Sequence, residues 1–258
     1  MSKAVLHKLP EITMSFWIMK ICATTLGETG GDLLAQTLEV GYLLSSIIFL
    51  AFFVLAFFIQ IFSKQYNPII YWLVIITTST AGTTISDLID RTLGLGYAVG
   101  SSILVFLLIL IFAIWKSTEK SISITSIQSV RAESFYWIAI LFSNTLGTAL
   151  GDFLSDSSGL GFAGGALLIG SLLLLIIVAH YFTKISTVIL FWLAFVLTRP
   201  FGATFGDFLT KPIDKGGLNI GTIISSIILC LALFILVFKE IEKLNIKKSA
   251  VDKTTALS

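Results

Sequence analysis

Four aspartates, Asp32, Asp87, Asp152 and Asp207, recur in one local setting. Five residues before each stands a glycine (Gly27, Gly82, Gly147, Gly202), and eleven residues before that an aromatic residue followed by Trp (Phe16-Trp17, Tyr71-Trp72, Tyr136-Trp137, Phe191-Trp192). Counting back from each aspartate in steps of four places one polar stripe on one helix face. The stripes read Lys20-Thr24-Glu28-Asp32, Ser79-Thr83-Asp87, Asn144-Thr148-Asp152 and Arg199-Ala203-Asp207. Carboxylates, hydroxyls and an amide are hard oxygen ligands suited to Mg, Ca or Mn. Glu28, Asp32, Asp87, Asp152 and Asp207 are therefore the expected ion ligands, metal ligands or proton carriers. Thr24, Thr83, Asn144 and Thr148 are expected to add neutral oxygens, and Lys20 and Arg199 to act as internal counter-ions or gating groups. Five acids against two bases leave the stripes negative, which favours a cation. A Lys and an Arg on the same faces also admit an organic or zwitterionic solute.

Other chemistries are less well served. Cys22 and Cys230 are far apart and lack a CxxC or His-rich neighbour, so a thiolate metal site or disulfide framework is not expected. His7 and His180 read as tail and helix-end residues. No Ser-His or metal-His constellation supports a membrane-embedded enzyme, and paired acids alone fit too many roles. The chain is read as a non-enzyme without cofactors. Its net charge of +2 comes from basic residues flanking hydrophobic segments, which excludes nucleic acid as a partner. The partners are membrane lipid and a small ion or solute.

The elements that must position these residues are membrane helices. Hydrophobic residues make up 56% and charged residues 12% of 258, with mean hydropathy +0.97, far from a soluble domain at about 25% charged. Segments 41–63, 94–115, 160–183 and 217–238 run almost uncharged for the roughly 20 residues that cross a bilayer. The first hydrophobic stretch lacks a small-residue cleavage site and is kept as structure. Four copies, 12–65, 66–118, 132–185 and 186–240, each hold a polar-marked helix a and a cleaner helix b, within one membrane domain over 1–258 and before a tail at 241–258. Two helices per copy make the copies parallel, unlike inverted-repeat transporters. The fold class is all-α integral membrane, with eight transmembrane helices from four parallel two-helix repeats, the polar helices lining a central cavity.

At a rise of 1.5 Å per residue, the aspartate lies ~24 Å beyond the aromatic pair, inside the bilayer. A lipid-facing charge costs at least ~2.5 kcal/mol, so the four stripes should face one another or water. The alternative is that these residues are structural glue, capping a broken helix or bonding a neighbour. Differences between copies at these positions argue for function. Small residues four apart, Gly27/Gly31, Gly82/Ser86, Gly147/Gly151 and Gly202/Gly206, form close-packing faces, expected to join helix a to helix b near its outer end. Helix b opens similarly at Gly41, Gly96 and Gly161, with Gly217 taking the place in the fourth copy. These faces also suit contacts between chains, leaving oligomeric state open. Lys and Arg cluster between copies and at the termini, including Lys3, Lys8, Lys64, Lys116, Lys184 and Lys248, whereas the hairpin turns inside copies hold Arg91, Lys211 and Lys215, which places both termini in the cytoplasm. The aromatic-Trp pairs then read as an interfacial belt.

The stretch Thr24-Thr25-Leu26-Gly27-Glu28-Thr29-Gly30-Gly31-Asp32, echoed at 144–152, resembles a bacterial membrane family built on a fourfold repeat of unknown function. The resemblance implies a bacterial inner-membrane protein and no particular chemistry. A looser similarity links Glu28 to Asp32 with the Glu-x-Gly-Asp signature of manganese and calcium exchangers. Here the acids are one residue further apart, the following basic residue and hydroxyl are missing, and the repeats are not inverted.

Overall fold

The computed structural model describes residues 8–127 and 129–256; Lys3 and His7 of the basic N-terminal flank lie outside them. Eight long helices follow one another: α1 (Met14–Asp32), α2 (Tyr42–Phe62), α3 (Pro68–Asp87), α4 (Tyr97–Glu119), α5 (Val130–Asp152), α6 (Gly161–Phe182), α7 (Thr187–Thr210) and α8 (Thr222–Ala256). No strand occurs among the described residues. Seven of the eight, all but α1, are long and apolar enough to cross a membrane. The 19-residue α1 carries Lys20, Glu28 and Asp32, all buried against other helices.

Local sequence sets the helix boundaries. The side chains of Thr13, Asn67 and Ser129 accept hydrogen bonds from the first backbone N–H groups of α1, α3 and α5, and Pro68 opens α3. After Asp32, Asp87 and Asp152 the helix continues into a single π turn, Leu33–Thr37, Leu88–Thr92 and Phe153–Ser157. These three aspartates are thus embedded in continuous helix and cap nothing with their side chains. A glycine with positive φ then admits the next helix: Gly41 at 80°, Gly96 at 73° and Gly221 at 84°. In the fourth copy that glycine is Gly221, not Gly217. Gly217 sits against the Lys211 carbonyl, and the spacing Gly221/Ser225 matches Gly41/Ser45. The fourth loop is five residues longer because α7 ends without a π turn, in extended backbone at Lys211 followed by a short turn at Ile213–Lys215.

Helices α1, α3, α5 and α7 pack in a closed parallel ring, each touching the next and α7 returning to α1. The motif glycines make this approach possible. A Cβ on Gly27 would lie 2.2 Å from the Ser79 Cβ, and one on Gly147 would lie 2.4 Å from the Arg199 Cγ. Gly82 meets Asn144 and Gly202 meets Thr24 in the same register, while Gly31, Gly151 and Gly206 seat Thr83, Ala203 and Glu28. The small-residue faces of the polar helices therefore join polar helix to polar helix, not helix a to helix b of the same copy. Each outer helix instead covers the polar helix of the following copy: α2 on α3, α4 on α5, α6 on α7 and α8 on α1. The outer helices are about a quarter buried or less, against 72% for α3, and expose Leu, Ile and Phe to the lipid side.

Three further features differ from expectation. The aromatic-Trp pairs turn inward: each copy's aromatic ring contacts the next copy's Trp, as Phe16–Trp72, Tyr71–Trp137, Tyr136–Trp192 and Phe191–Trp17. Tyr71 and Tyr136 share a hydroxyl hydrogen bond of 2.7 Å. These rings close one end of the bundle as an apolar plug, because large flat side chains fill a four-helix axis better than small ones. The centre of the ring, expected to be a polar cavity, is occupied at the level of Glu28, Thr83 and Thr148 by Arg199, whose side chain is 0% exposed. At the far end of the chain α8 continues as helix to Ala256, through most of the segment expected to be a tail.

Candidate functional site

Arg199 leaves α7 just before Pro200, whose ring lies over Gly147 of α5. Its guanidinium reaches the three other polar helices. Nη1 donates to Glu28 Oε2 at 3.0 Å and to the Thr24 carbonyl at 3.4 Å on α1. Nη2 donates to the Ser79 carbonyl and the Thr83 hydroxyl on α3, and to the Thr148 hydroxyl on α5 at 2.6 Å. The two terminal nitrogens of one planar fork thus tie the ring together at its centre.

One to two turns further along, the four aspartates are all buried, between 1% and 3% exposed. They meet in two pairs, each bridged by a base from an even-numbered copy. Arg91 Nε lies 2.8 Å from Asp87 Oδ1, and Arg91 Nη2 lies 2.9 Å from Asp152 Oδ2 and 3.7 Å from Asp156. Lys211 Nζ lies 2.7 Å from Asp32 Oδ2 and 3.2 Å from Asp207 Oδ1, with Gln36 Oε1 at 3.5 Å. Burial by itself would lower the Lys211 ammonium, but Asp207 and Asp32 beside it outweigh that and hold it above the usual lysine range. Glu28, Asp32 and Asp207 each offer an oxygen such that all three lie within 4.8 Å of one another.

The comparison with known families is decisive for kinship. A family described as Repeat of Unknown Function (DUF347) matches residues 15–66, 70–121, 135–186 and 190–239. The chain belongs to the DUF347 repeat family. No curated protein and no solved structure matches it.

Measured against the four DUF347 repeats, the residues singled out from sequence divide into groups. Glu28, Asp32 and Asp207 come together on the α1/α7 side; Asp87 and Asp152 are held separately on the α3/α5 side by Arg91. The single five-carboxylate set expected from the stripes is thus three plus two, since each base bridges the aspartate of its own repeat to that of the next. Thr83 and Thr148 point their hydroxyls at Arg199. Thr24 bonds the carbonyls of Lys20, Ile21 and Thr198, and the Asn144 amide donates to Thr78 Oγ1 at 3.0 Å. Thr24 and Asn144 bind helices to one another, whereas the Thr83 hydroxyl also donates to Glu28 Oε2 at 3.3 Å and so touches the carboxylate cluster, because burial obliges each hydroxyl and amide to find the nearest acceptor. Arg199 is the counter-ion of Glu28. Lys20, fully buried, rests 3.9 Å from the centre of the Phe195 ring with no hydrogen-bond acceptor for its ammonium.

Arg91 and Lys211 are the residues that sequence reasoning passed over as loop charges. Continuing the stripes one step forward finds them: four residues after each aspartate stand Gln36, Arg91, Asp156 and Lys211. A second missed group lies at the aromatic end. Buried Glu133 accepts from Lys8 at 2.9 Å and Gln60 at 3.0 Å, and Glu240 accepts from Tyr66 and the Trp72 indole. Four of these six residues, Lys8, Gln60, Tyr66 and Glu240, sit on outer helices or flanks, where no stripe pointed to them.

Proposed function

We propose that this protein carries a small cation, a divalent ion such as Mn, Mg or Ca, across a bacterial inner membrane. In this reading all eight helices span, both termini are cytoplasmic, and the aspartate end faces outward. The observation that carries it is the trio Glu28, Asp32 and Asp207, buried together with oxygens inside 4.8 Å. Oxygens on opposite sides of a bound Ca ion are about 4.6–5.2 Å apart, so the trio spans one coordination sphere. Buried carboxylates whose charge is balanced by side-chain cations are a site from which those cations can be exchanged, while the neutral donors Gln36 and Thr83 stay in place. Five acids, Glu28 and the four aspartates, are contacted by three bases, Arg91, Arg199 and Lys211, an acidic excess that a cargo ion or protons can balance. Because Arg199 occupies the centre of the ring, passage requires that its bonds to Glu28, Thr83 and Thr148 be remade, which is carrier behaviour and not that of an open pore.

The unpaired Lys20 ammonium favours a second reading, a solute bearing an anionic as well as a cationic group. Proteoliposomes separate the two. Flux of Mn, Mg or Ca that is abolished by Asp32→Asn and Asp207→Asn supports the cation carrier; cation flux unchanged in those variants removes it. Amino-acid or betaine uptake lost in Lys20→Met, with no divalent flux, supports the second reading.

A further inference from the structure

The two carboxylate pairs occupy equivalent places in the pseudo-symmetric ring, yet they are built from different chemistry. On the α3/α5 side the bridging base is Arg91, which emerges from the π turn of Leu88–Thr92. Its planar fork engages Asp87 and Asp152 through separate nitrogens, with Asp156 close by, a geometry that loses several charge-assisted bonds at once if it opens. On the α1/α7 side the base is Lys211, a point charge on a flexible stem that reaches Asp32 and Asp207 through one nitrogen. It stands on extended backbone just after α7, at the start of the loop that is longer than its three counterparts.

The third ligand also differs. Four residues before the aspartate, the α1 stripe has Glu28, while α3 and α5 have Thr83 and Thr148, both already donated to by Arg199. Among the described residues, only the Lys211 side brings three buried carboxylates within 4.8 Å of one another; the third carboxylate near Arg91, Asp156, is 42% exposed.

Resting on the carrier reading above, we infer that the halves are unequal: Lys211 is a tethered competitor that swings out when cargo enters, whereas Arg91 is a permanent clasp. The chain thus binds one ion, not two. The Lys211 ammonium, 2.7 Å and 3.2 Å from its two carboxylates, sits where a cation entering between Asp32 and Asp207 must sit, so the two cannot be there together. On this account loading the site and exposing Lys211 are one event. The Arg91 pair holds α3 and α5 in register while α1 and α7 rearrange around the ion.

The test uses the full chain in detergent with Mn as probe. Acylation of Lys211 by a water-soluble amine reagent, read by mass spectrometry, should rise severalfold when Mn is added, with the exposed Lys215 unchanged as internal control. Lys211→Gln should bind Mn about tenfold tighter if the lysine fills the site about nine-tenths of the time, while equilibrium binding gives one ion per chain. Arg91→Gln should melt at lower temperature and still bind one ion with wild-type affinity. Two ions per chain, equal tightening in Arg91→Gln and Lys211→Gln, or Lys211 acylation unmoved by bound Mn would overturn the inference while leaving the carrier reading intact. Absence of Mn binding in both wild type and Lys211→Gln, or wild-type binding by Asp32→Asn, would instead remove the carrier reading itself.

Discussion

Replacing Arg199 by Met exposes how much of the bundle depends on one side chain. The variant keeps the side-chain length and apolar stem but removes every donor that reaches α1, α3 and α5. Glu28, 4% exposed at its side chain, is left as a buried carboxylate without its ion-pair partner. Breaking a buried ion pair on one side costs about 3–5 kcal/mol because the orphaned charge stays desolvated. At about 2–4 °C per kcal/mol for a chain of this size, the melting temperature should fall by roughly 6–20 °C. Glu28→Gln alone should cost a similar amount, since it orphans the guanidinium. The double variant Arg199→Met/Glu28→Gln should recover most of the loss, because neither charge remains to be buried. Thermal unfolding followed by Trp fluorescence is a direct assay, as Trp72, Trp115 and Trp137 are all 1% exposed or less. A single variant as stable as wild type, or a double variant as unstable as the sum of the two, would refute the pairing argument.

Three other expectations follow from the packing. Gly147→Ala places a methyl group 2.4 Å from the Arg199 Cγ and should destabilise by about 1–3 kcal/mol, as overpacked cores do, whereas Gly164→Ala on outward-facing α6 should change the melting temperature little. Tyr71→Phe removes the buried hydroxyl contact with Tyr136 and should cost about 1 kcal/mol, measurable in the same unfolding experiment. Lys211 contributes stability that is present below the ordinary lysine range and lost as pH rises through its raised folded value. The melting-temperature gap between wild type and Lys211→Met should therefore stay constant from about pH 6 to 9 and close only in strong alkali; a gap that closes near neutrality contradicts the assignment.

The polar stripes and the motif glycines made the ring of α1, α3, α5 and α7 legible before any coordinates. Period-four spacing fixes which face a helix turns inward, and buried charge has few other places to go. What Gly27 or Gly147 touches was not legible, because a small residue permits close approach without naming the partner. The choice of the following copy's polar helix over the same copy's outer helix depends on how the π turn and Gly41-type loop redirect the chain. The contents of the axis were hidden for a related reason. A stripe of acids and hydroxyls looks the same whether it surrounds water or a guanidinium, and only the length of Arg199 and the tightness of the glycine contacts decide. The aromatic-Trp pairs misled because Trp near a helix start has two homes, the lipid interface and a plugged bundle end, with identical local sequence. Arg91 and Lys211 were legible in principle, one step along the same stripes, but the hairpin setting disguised them as loop charges.

That α8 covers α1 has a consequence for how the chain is made. Of the eight helices, the one that holds Lys20, Glu28 and Asp32 is made before the others, yet the guanidinium that neutralises Glu28 is translated some 170 residues later and the hydrophobic cover later still. The earliest of the eight is thus the last to be sheltered. A nascent chain stopped short of α7 therefore holds its charged helix unprotected and is a natural target for membrane quality control.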